Sequence, residues 1–563
     1  MTHPNSASGT RRVRGALRVR TRVRGALAIG AVALVTVAAG ACSPVQPPPP
    51  VGDRQDVTGT PIGDTPVQEG GDLVMGLSSE PDELDPTTST SLYTRYVMSS
   101  VCEKLYDIDA EGELVPQLAT ELPTTSDDGL SVTIPLRNGV SFADGAEFDA
   151  EAVRTTLLRH LEKEDSSRRT ELGPIESIEV LDPEHVVLHY SEPFAPITAA
   201  LADRAGMILS PVAIEELGDD FGSQPVCVGP FKFVDRVPQT SISVERDPLY
   251  YDADQVHLDT VTYRIMNDPS IRAANLRSGD VQVADTISPT EVDALDRESG
   301  IEVLQTGSLG YQGVTFNVGN VDGVGAEAGE IDTPLASDPR VRQAFSHAVD
   351  REALVNSVFN NWFDPACSPI SPDSPFSSES SEACPEYNPE LSRQLLAEAG
   401  VETPYRIKIS AANNADTLRF SQALQASVLE GGFELEIVPV EYSTLLDVQA
   451  QGTFDAVQLG WSGRIDPNNN IRNFYETGAG SNYAGYNSAE VDDLLAAATA
   501  TDDVAERTEL YGEIVRIIHR DNPVVYLYRQ RNLTAHRSEL GGVEVYADGV
   551  VRLGRAGFLI EEG

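Results

Sequence analysis

From about Ile301 onward the chain alternates short β-branched runs with longer segments whose apolar residues recur every three to four positions. Tyr405–Ser410 alternates as a half-buried strand does, Thr417–Leu429 has helical spacing, and Phe433–Val440 alternates again. Strand, helix, strand with short links is the pattern of a sheet covered by helices, so an α/β fold is expected. Further helices are predicted over Pro339–Phe359 as one long element, over Leu391–Ala399, and over Asp503–His519. Another follows an Asn487 cap with Glu490 three residues on, and buries Val491, Leu494, Leu495 and Ala498. The first half is richer in strands: Leu130–Leu136, a hairpin of Ile175–Leu181 and His185–Tyr190, and the pair Phe231–Val237 and Ser241–Glu245. A helix is expected over Tyr96–Lys104. A β-rich first half and an alternating second half in 563 residues predict two lobes.

One stretch of the second half stands out. Gly452 to Pro467 reads as a strand, Phe454 to Leu459, ending in a turn of Gly460, Trp461, Ser462 and Gly463, with Arg464 and Asp466 next. An aromatic beside flexible backbone and opposite charges at a strand end is a common way for α/β proteins to build a ligand site. The competing reading is a core tryptophan beside a solvated loop.

The N-terminus carries an export pattern. All seven arginines of the first 42 residues lie within Arg11–Arg24, and Ala26–Ala41 is uniformly small and apolar. Sixteen helical residues reach roughly 24 Å, short of a ~30 Å bilayer core, so residues 1–41 read as a signal peptide. Ala39-Gly40-Ala41-Cys42 resembles a bacterial lipobox, which makes Cys42 the expected lipidation site and first mature residue. The alternative is an ordinary cleavage site with a free Cys42. Residues 42–71, with Pro47 to Pro50 consecutive, read as an extended tether between membrane lipid and folded body.

The formal net charge is −46, and outside Arg11–Arg24 34 basic residues face 87 acidic ones, a balance of −53. That disfavours nucleic acid, whose phosphates need a basic face. It suits solubility, and it suits a salty medium in which self-repulsion is screened. Four cysteines remain after Cys42, and export favours pairing. Sequence alone allows three pairings. Cys367 and Cys384 bracket a Ser/Pro-rich loop and are the preferred pair, leaving Cys102 with Cys227. No Cys/His cluster of metal-ligand spacing occurs, and no nucleophile, zincin or phosphate-loop motif. No metal, cofactor or catalytic activity is therefore expected.

A family resemblance emerges from motifs in order. Leu84-Asp85-Pro86 precedes Cys102-Glu103-Lys104-Leu105-Tyr106, then Val115-Pro116-Gln117-Leu118-Ala119 and the run Leu136 to Gly145, LRNGVSFADG. Gly229-Pro230-Phe231, Ser278-Gly279-Asp280, Arg340 to Phe345 with Val349-Asp350-Arg351, and Leu395 to Gly400 (LLAEAG) follow. Together they resemble the extracytoplasmic solute-binding proteins of family 5, the dipeptide/oligopeptide-type receptors of ABC importers, over Gly71 to Phe558. The resemblance implies a two-lobed periplasmic-binding-protein-like fold, type II, in the large cluster with an extra subdomain in the first lobe. Lobe I would span 72–310, lobe II 311–528, and 529–563 would return to lobe I. Crossings near Thr306–Gln312 and Tyr528–Leu533 would form the hinge. The expected function is capture of a peptide or peptide-like solute by a monomeric lipoprotein on the outer face of the cell membrane, and its delivery to an ABC permease. The alternatives are a non-peptide, anionic or metal-chelate solute, or a sensor or chaperone lipoprotein without transport. By correspondence with family members, ligand-lining residues are expected at Thr90, Ser91, Leu92 and Tyr93, at Thr315 and Asn317, and at Gln458, Trp461 and Ser462. Many peptide-binding members carry an aspartate shortly after this tryptophan to pair with the peptide amine. Here Arg464 stands in its place, and with a one-residue gap Asp466 could take that role instead. An arginine suits a ligand carboxylate or phosphate; the alternative is an internal salt bridge.

Overall fold

The computed structural model describes residues 54–63 and 65–560; the expected signal peptide, the expected lipidation site Cys42 and the consecutive prolines lie outside the described residues. Among the described residues no helix is long and apolar enough to cross a membrane.

Two sheets organise the body. The first has seven strands in the order Ile301–Thr306, Asn532–Arg537, Val283–Ala284, Asp72–Leu77, Thr260–Ile265, Ser241–Arg246, Phe231–Val237. Asp72–Leu77 runs parallel to Thr260–Ile265, and Leu73, Met75, Leu77, Val261 and Tyr263 are fully buried. The second has six strands in the order Asp364–Pro365, Val524–Arg529, Tyr311–Phe316, Ala456–Trp461, Tyr405–Ala412, Phe433–Val440. Its last three strands are mutually parallel and joined through helices Ala415–Glu430 and Tyr442–Ala450. Parallel strands need such crossovers, which place helices over the sheet. A four-stranded antiparallel sheet includes the hairpin of Ile175–Asp182 and His185–Tyr190, and helix Ala150–Glu162 packs on it. Asp149 caps that helix by accepting from Ala152 N at 2.9 Å, and Val153 and Leu157 go into the core.

The chain passes between the two large sheets twice. Thr306, ending one strand, is followed by Tyr311 of the other sheet; Arg529 returns to Asn532, and Thr306 pairs with Asn532. Short of the expected end of the tether, the described chain is already bonded to the body. Val57 N donates to Gln305 O at 2.8 Å, Asp56 accepts from Thr306 Oγ1 at 3.2 Å and pairs with Arg531, and Arg54 lies over the Trp362 ring at 3.5 Å.

Both preferred disulfides are present, Cys102–Cys227 and Cys367–Cys384, with Cα separations of 4.9 and 4.7 Å. Four of the differences from the expected element boundaries have a visible local cause. The long helix is two, Pro339–His347 and Arg351–Phe359, because the Asp350 side chain accepts from Ala353 N at 3.0 Å and starts a new helix. The cap expected at Asn487 is Ser488, which accepts from Val491 N. The first helix is Leu92–Val101 rather than Tyr96–Lys104, since Ser91 caps it by accepting from Tyr93 N. The strand after Gly452 is Ala456–Trp461, two residues later than expected at each end, held to Tyr311–Phe316 in antiparallel register.

Candidate functional site

The three parallel strands of the six-stranded sheet end on one side. Beyond Ala412 lies Asp416, beyond Val440 lies Tyr442, and Trp461 is itself a strand's last residue. In open α/β sheets ligands bind outside such carboxyl ends. Here two cavities of about 160 and 60 Å³ share the walls Leu92, Tyr311, Tyr442, Trp461 and Ser462. Leu92 comes from the chain segment that follows the first strand of the seven-stranded sheet, so the space lies between the two sheets.

Trp461 is half-buried, meets Phe474 edge to face at 5.0 Å, and donates from Nε1 to Asn470 Oδ1 at 2.9 Å. Asn470 Oδ1 also accepts Arg464 N at 2.7 Å, and its Nδ2 donates to Arg464 O at 2.7 Å. Helix Asn468–Tyr475 thus pins the turn that presents Trp461. The turn needs Gly463: its φ is +82°, and a Cβ there would stand 2.2 Å from the Leu309 carbonyl carbon. The tryptophan therefore forms a cavity wall while one edge remains packed.

Of the expected residues, Thr90, Leu92, Thr315, Trp461 and Ser462 line the smaller cavity, and Tyr93 joins Leu92, Trp461 and Ser462 around the larger one. Tyr93 meets Tyr442 edge to face at 5.1 Å, and burial pushes its phenol pKa up. Five expected residues line neither cavity. Ser91 is fully buried as a helix cap. Asn317 Nδ2 donates to Asn320 O and Gly452 O, both at 2.9 Å, and fastens a loop. Gln458 is buried and accepts from Ser421 Oγ at 2.7 Å. Asp466 is held bidentately by Arg507, at 2.7 and 2.8 Å. Arg464 is buried, pairs through Nε with Asp203, and lies 4.2 Å from the Trp461 ring centroid.

Asp203 belongs to the first half of the chain, so its pair with Arg464 joins the two sides of the cleft at its edge. Arg95 Nε also donates to Asp203, at 2.9 Å, and Arg95 Nη1 reaches Ser462 Oγ at 3.4 Å. Burial opposes the Asp203 charge, but Arg464 and Arg95 outweigh it and hold the carboxyl well below the usual range. Burial, with repulsion from Arg95, lowers Arg464 to about 9. Two further contacts cross the same seam: Ala195 N to Thr499 O at 2.9 Å, and Asn473 Nδ2 to Glu171 Oε1 at 3.4 Å.

Reading the sequence missed Tyr442, Tyr311, Tyr483, Phe474 and Asp416 as lining residues. The strand-end rule was a usable signal for Tyr442 and Asp416, each within four residues of a strand's carboxyl end. Phe474 and Tyr483 carry no such signal, because they reach the cavity only through the fold of the Asn468–Tyr475 helix and the loop after it. Among the described residues no His/Cys/Asp/Glu group is arranged to hold a metal.

Residues 113–482 match the family described as bacterial extracellular solute-binding proteins, family 5 Middle. The glutathione-binding protein GsiB of Salmonella paratyphi A is 29% identical over 494 residues, covering 85% of this chain and 92% of its own. The structure of the PBP AgaA of A. tumefacien R10, solved with agropinic acid, superposes with a TM-score of 0.78 at 25% identity, covering 88% of this chain and 99% of AgaA. The oligopeptide-binding protein AppA of Bacillus subtilis, solved with a nonapeptide, shares the fold with a TM-score of 0.80 at 23% identity, covering 88% of this chain and 100% of AppA. The α/β architecture is thus that of the type II periplasmic-binding-protein-like solute receptors, and the chain belongs to the bacterial extracellular solute-binding proteins of family 5, which serve ABC importers.

Proposed function

We propose that the protein captures a small peptide or peptide-like solute in the cavity walled by Trp461, Tyr442 and Tyr93 and presents it to an ABC permease. The observation that carries this reading is the cavity itself. It is aromatic and polar, it lies between two sheets joined by two short crossings, and partners from both sides close its edge at Arg464–Asp203. A solute touching both sides favours the closed form by its differential contacts. The relative GsiB is named a glutathione-binding protein, and glutathione is a peptide-like solute. The crossings at Thr306–Tyr311 and Arg529–Asn532 are the proposed hinge, with lobe I at 72–310 and 529–563 and lobe II at 311–528. The protein acts by binding, without catalysis, and works as a monomer held to the membrane through a lipid on Cys42. The sequence supports that anchor through Ala39-Gly40-Ala41-Cys42 and the prolines after it.

The test is mass spectrometry of solute that copurifies with the protein, followed by calorimetry with glutathione and with di- to pentapeptides. Saturable binding of at least one of these is expected. A copurifying sugar or metal chelate, with no heat from any peptide, overturns the peptide reading. Loss of membrane association in Cys42→Ala tests the anchor.

A further inference from the structure

The larger cavity contains two chemically opposite stations. The first is Ser462. Its Oγ accepts from Arg464 Nη1 at 3.1 Å and from Arg95 Nη1 at 3.4 Å, and its own hydroxyl proton has no acceptor among the described residues. A hydroxyl has two acceptor sites and one donor. With guanidinium N–H groups at the acceptor sites, the remaining proton is free for the cavity that Ser462 lines, and it is polarised by the two cations behind it. The charge behind Ser462 is positive in balance. Four arginines, Arg464, Arg95, Arg204 and Arg168, face three carboxylates, Asp203, Asp548 and Glu171, and Arg464 Nη2 is buried without a partner.

The second station is Asp416. Its Oδ1 accepts from Ser288 Oγ at 3.1 Å and forms an ion pair with the partly exposed Arg419 at 2.7 Å, while Oδ2 has no hydrogen-bond partner among the described residues and is the atom left open to the cavity. Asp416 is the one acidic side chain lining either cavity, and Arg272 is the one basic side chain. Arg272 is spent elsewhere: it donates to the carbonyls of Asp285, Met266 and Thr286, and Asp285 balances its charge at 3.6 Å. The larger cavity thus offers a polarised donor at one station and an open carboxylate at the other.

We propose that the cavity orients its solute by charge: Ser462, backed by Arg95 and Arg464, takes the solute's carboxylate, and Asp416 takes its ammonium group. The preferred solute class is a short zwitterion, and its direction in the cleft is fixed by these two residues. This assignment rests on the peptide reading above for the identity of the chain between the two charged ends.

The experiment is calorimetry with trialanine, N-acetyl-trialanine and trialanine amide, on the wild type, Asp416→Asn and Ser462→Ala, with circular dichroism confirming each fold. A parallel arm uses ω-amino acids of graded length, which keep both charges and lack peptide bonds. Trialanine is expected to bind at least tenfold more tightly than either blocked form. Asp416→Asn should abolish the discrimination against the acetyl form and keep that against the amide; Ser462→Ala should do the reverse. If trialanine binds and neither substitution alters these ratios, or the two effects are exchanged, the charge orientation is overturned while the peptide reading stands. If only ω-amino acids bind, with the expected dependence on Asp416 and Ser462, the peptide reading falls and the orientation stands. Binding by neither series overturns both.

Discussion

Arg464 and Asp203 show how a single buried pair can decide what a cleft offers its ligand. Each guanidinium at the seam is tied to a carboxylate or a carbonyl, so the arginines polarise Ser462 without entering the cavity. Removing one partner of a buried pair leaves the other charge uncompensated, which costs about 3–5 kcal/mol. Asp203→Asn strands Arg464, while Arg95 keeps its second carboxylate, Asp548, at 3.1 Å, and the variant should lose stability of that order in urea unfolding at neutral pH. The Asp203 pKa is depressed in the fold, so its contribution is present above the ordinary carboxylate range and is lost as pH falls through its lowered value. The difference between wild type and Asp203→Asn should therefore narrow only in strong acid. Glu103 behaves oppositely. Burial pushes its carboxyl from 4.5 up to about 7, against hydrogen bonds from Tyr250 and Tyr251 at 2.6 and 3.2 Å. The folded state then keeps a proton that the unfolded state has lost, and wild-type stability falls as pH rises from 4.5 to about 7. Glu103→Gln lacks this proton. Its stability relative to wild type should rise across that window, by about 3 kcal/mol at most, measured as urea midpoints at a series of pH values.

At the scale of elements, two short polar features matter more than the long periodic ones. Asp350 divides what reads as one helix into two, and only its side-chain geometry reveals the break. The residues around it, VDREAL, are compatible with uninterrupted helix, so periodicity alone could not find it. Asp350→Ala should cost about 1 kcal/mol, as cap deletions do, and leave ligand affinity unchanged. The helix Asn468–Tyr475 was not legible either, because three successive asparagines have low helix propensity. Their value is tertiary: Asn470 makes three hydrogen bonds to the Trp461–Arg464 turn. Asn470→Ala should cost about 3 kcal/mol, near 1 per bond lost, and unlike Asp350→Ala it should weaken solute binding, since it frees the Trp461 wall. Thermal unfolding and calorimetry on the two variants side by side separate the effects.

For the whole molecule, charge is the dominant global property. A net charge of −46 repels itself within the compact state, and raising salt from 0.1 to 1 M shrinks the screening length from about 10 to about 3 Å. Added sodium chloride should raise the unfolding temperature; an unchanged or lower value would show that self-repulsion is not what limits stability. The segment from Arg54 to Val57 adds a second global feature. It bonds to both crossings, at Thr306 and Arg531, and places Arg54 on Trp362, so the chain that leads back toward the N-terminus is tied to the region joining the two sheets.

By itself the sequence determined the α/β class, the order of most strands and helices, the disulfide candidates and the family. Each of these is written in local spacing: alternation for strands, three-to-four periodicity for helices, motifs a few residues long. Only the tertiary structure decided that Arg464 lies against Asp203 instead of facing the cavity, that Asp466 belongs to Arg507, and that Asp416 is the open carboxylate of the cleft. Those outcomes depend on which charges from distant parts of the chain are buried together. A buried charge takes whatever partner the fold brings within reach, and no local pattern of the chain records that choice.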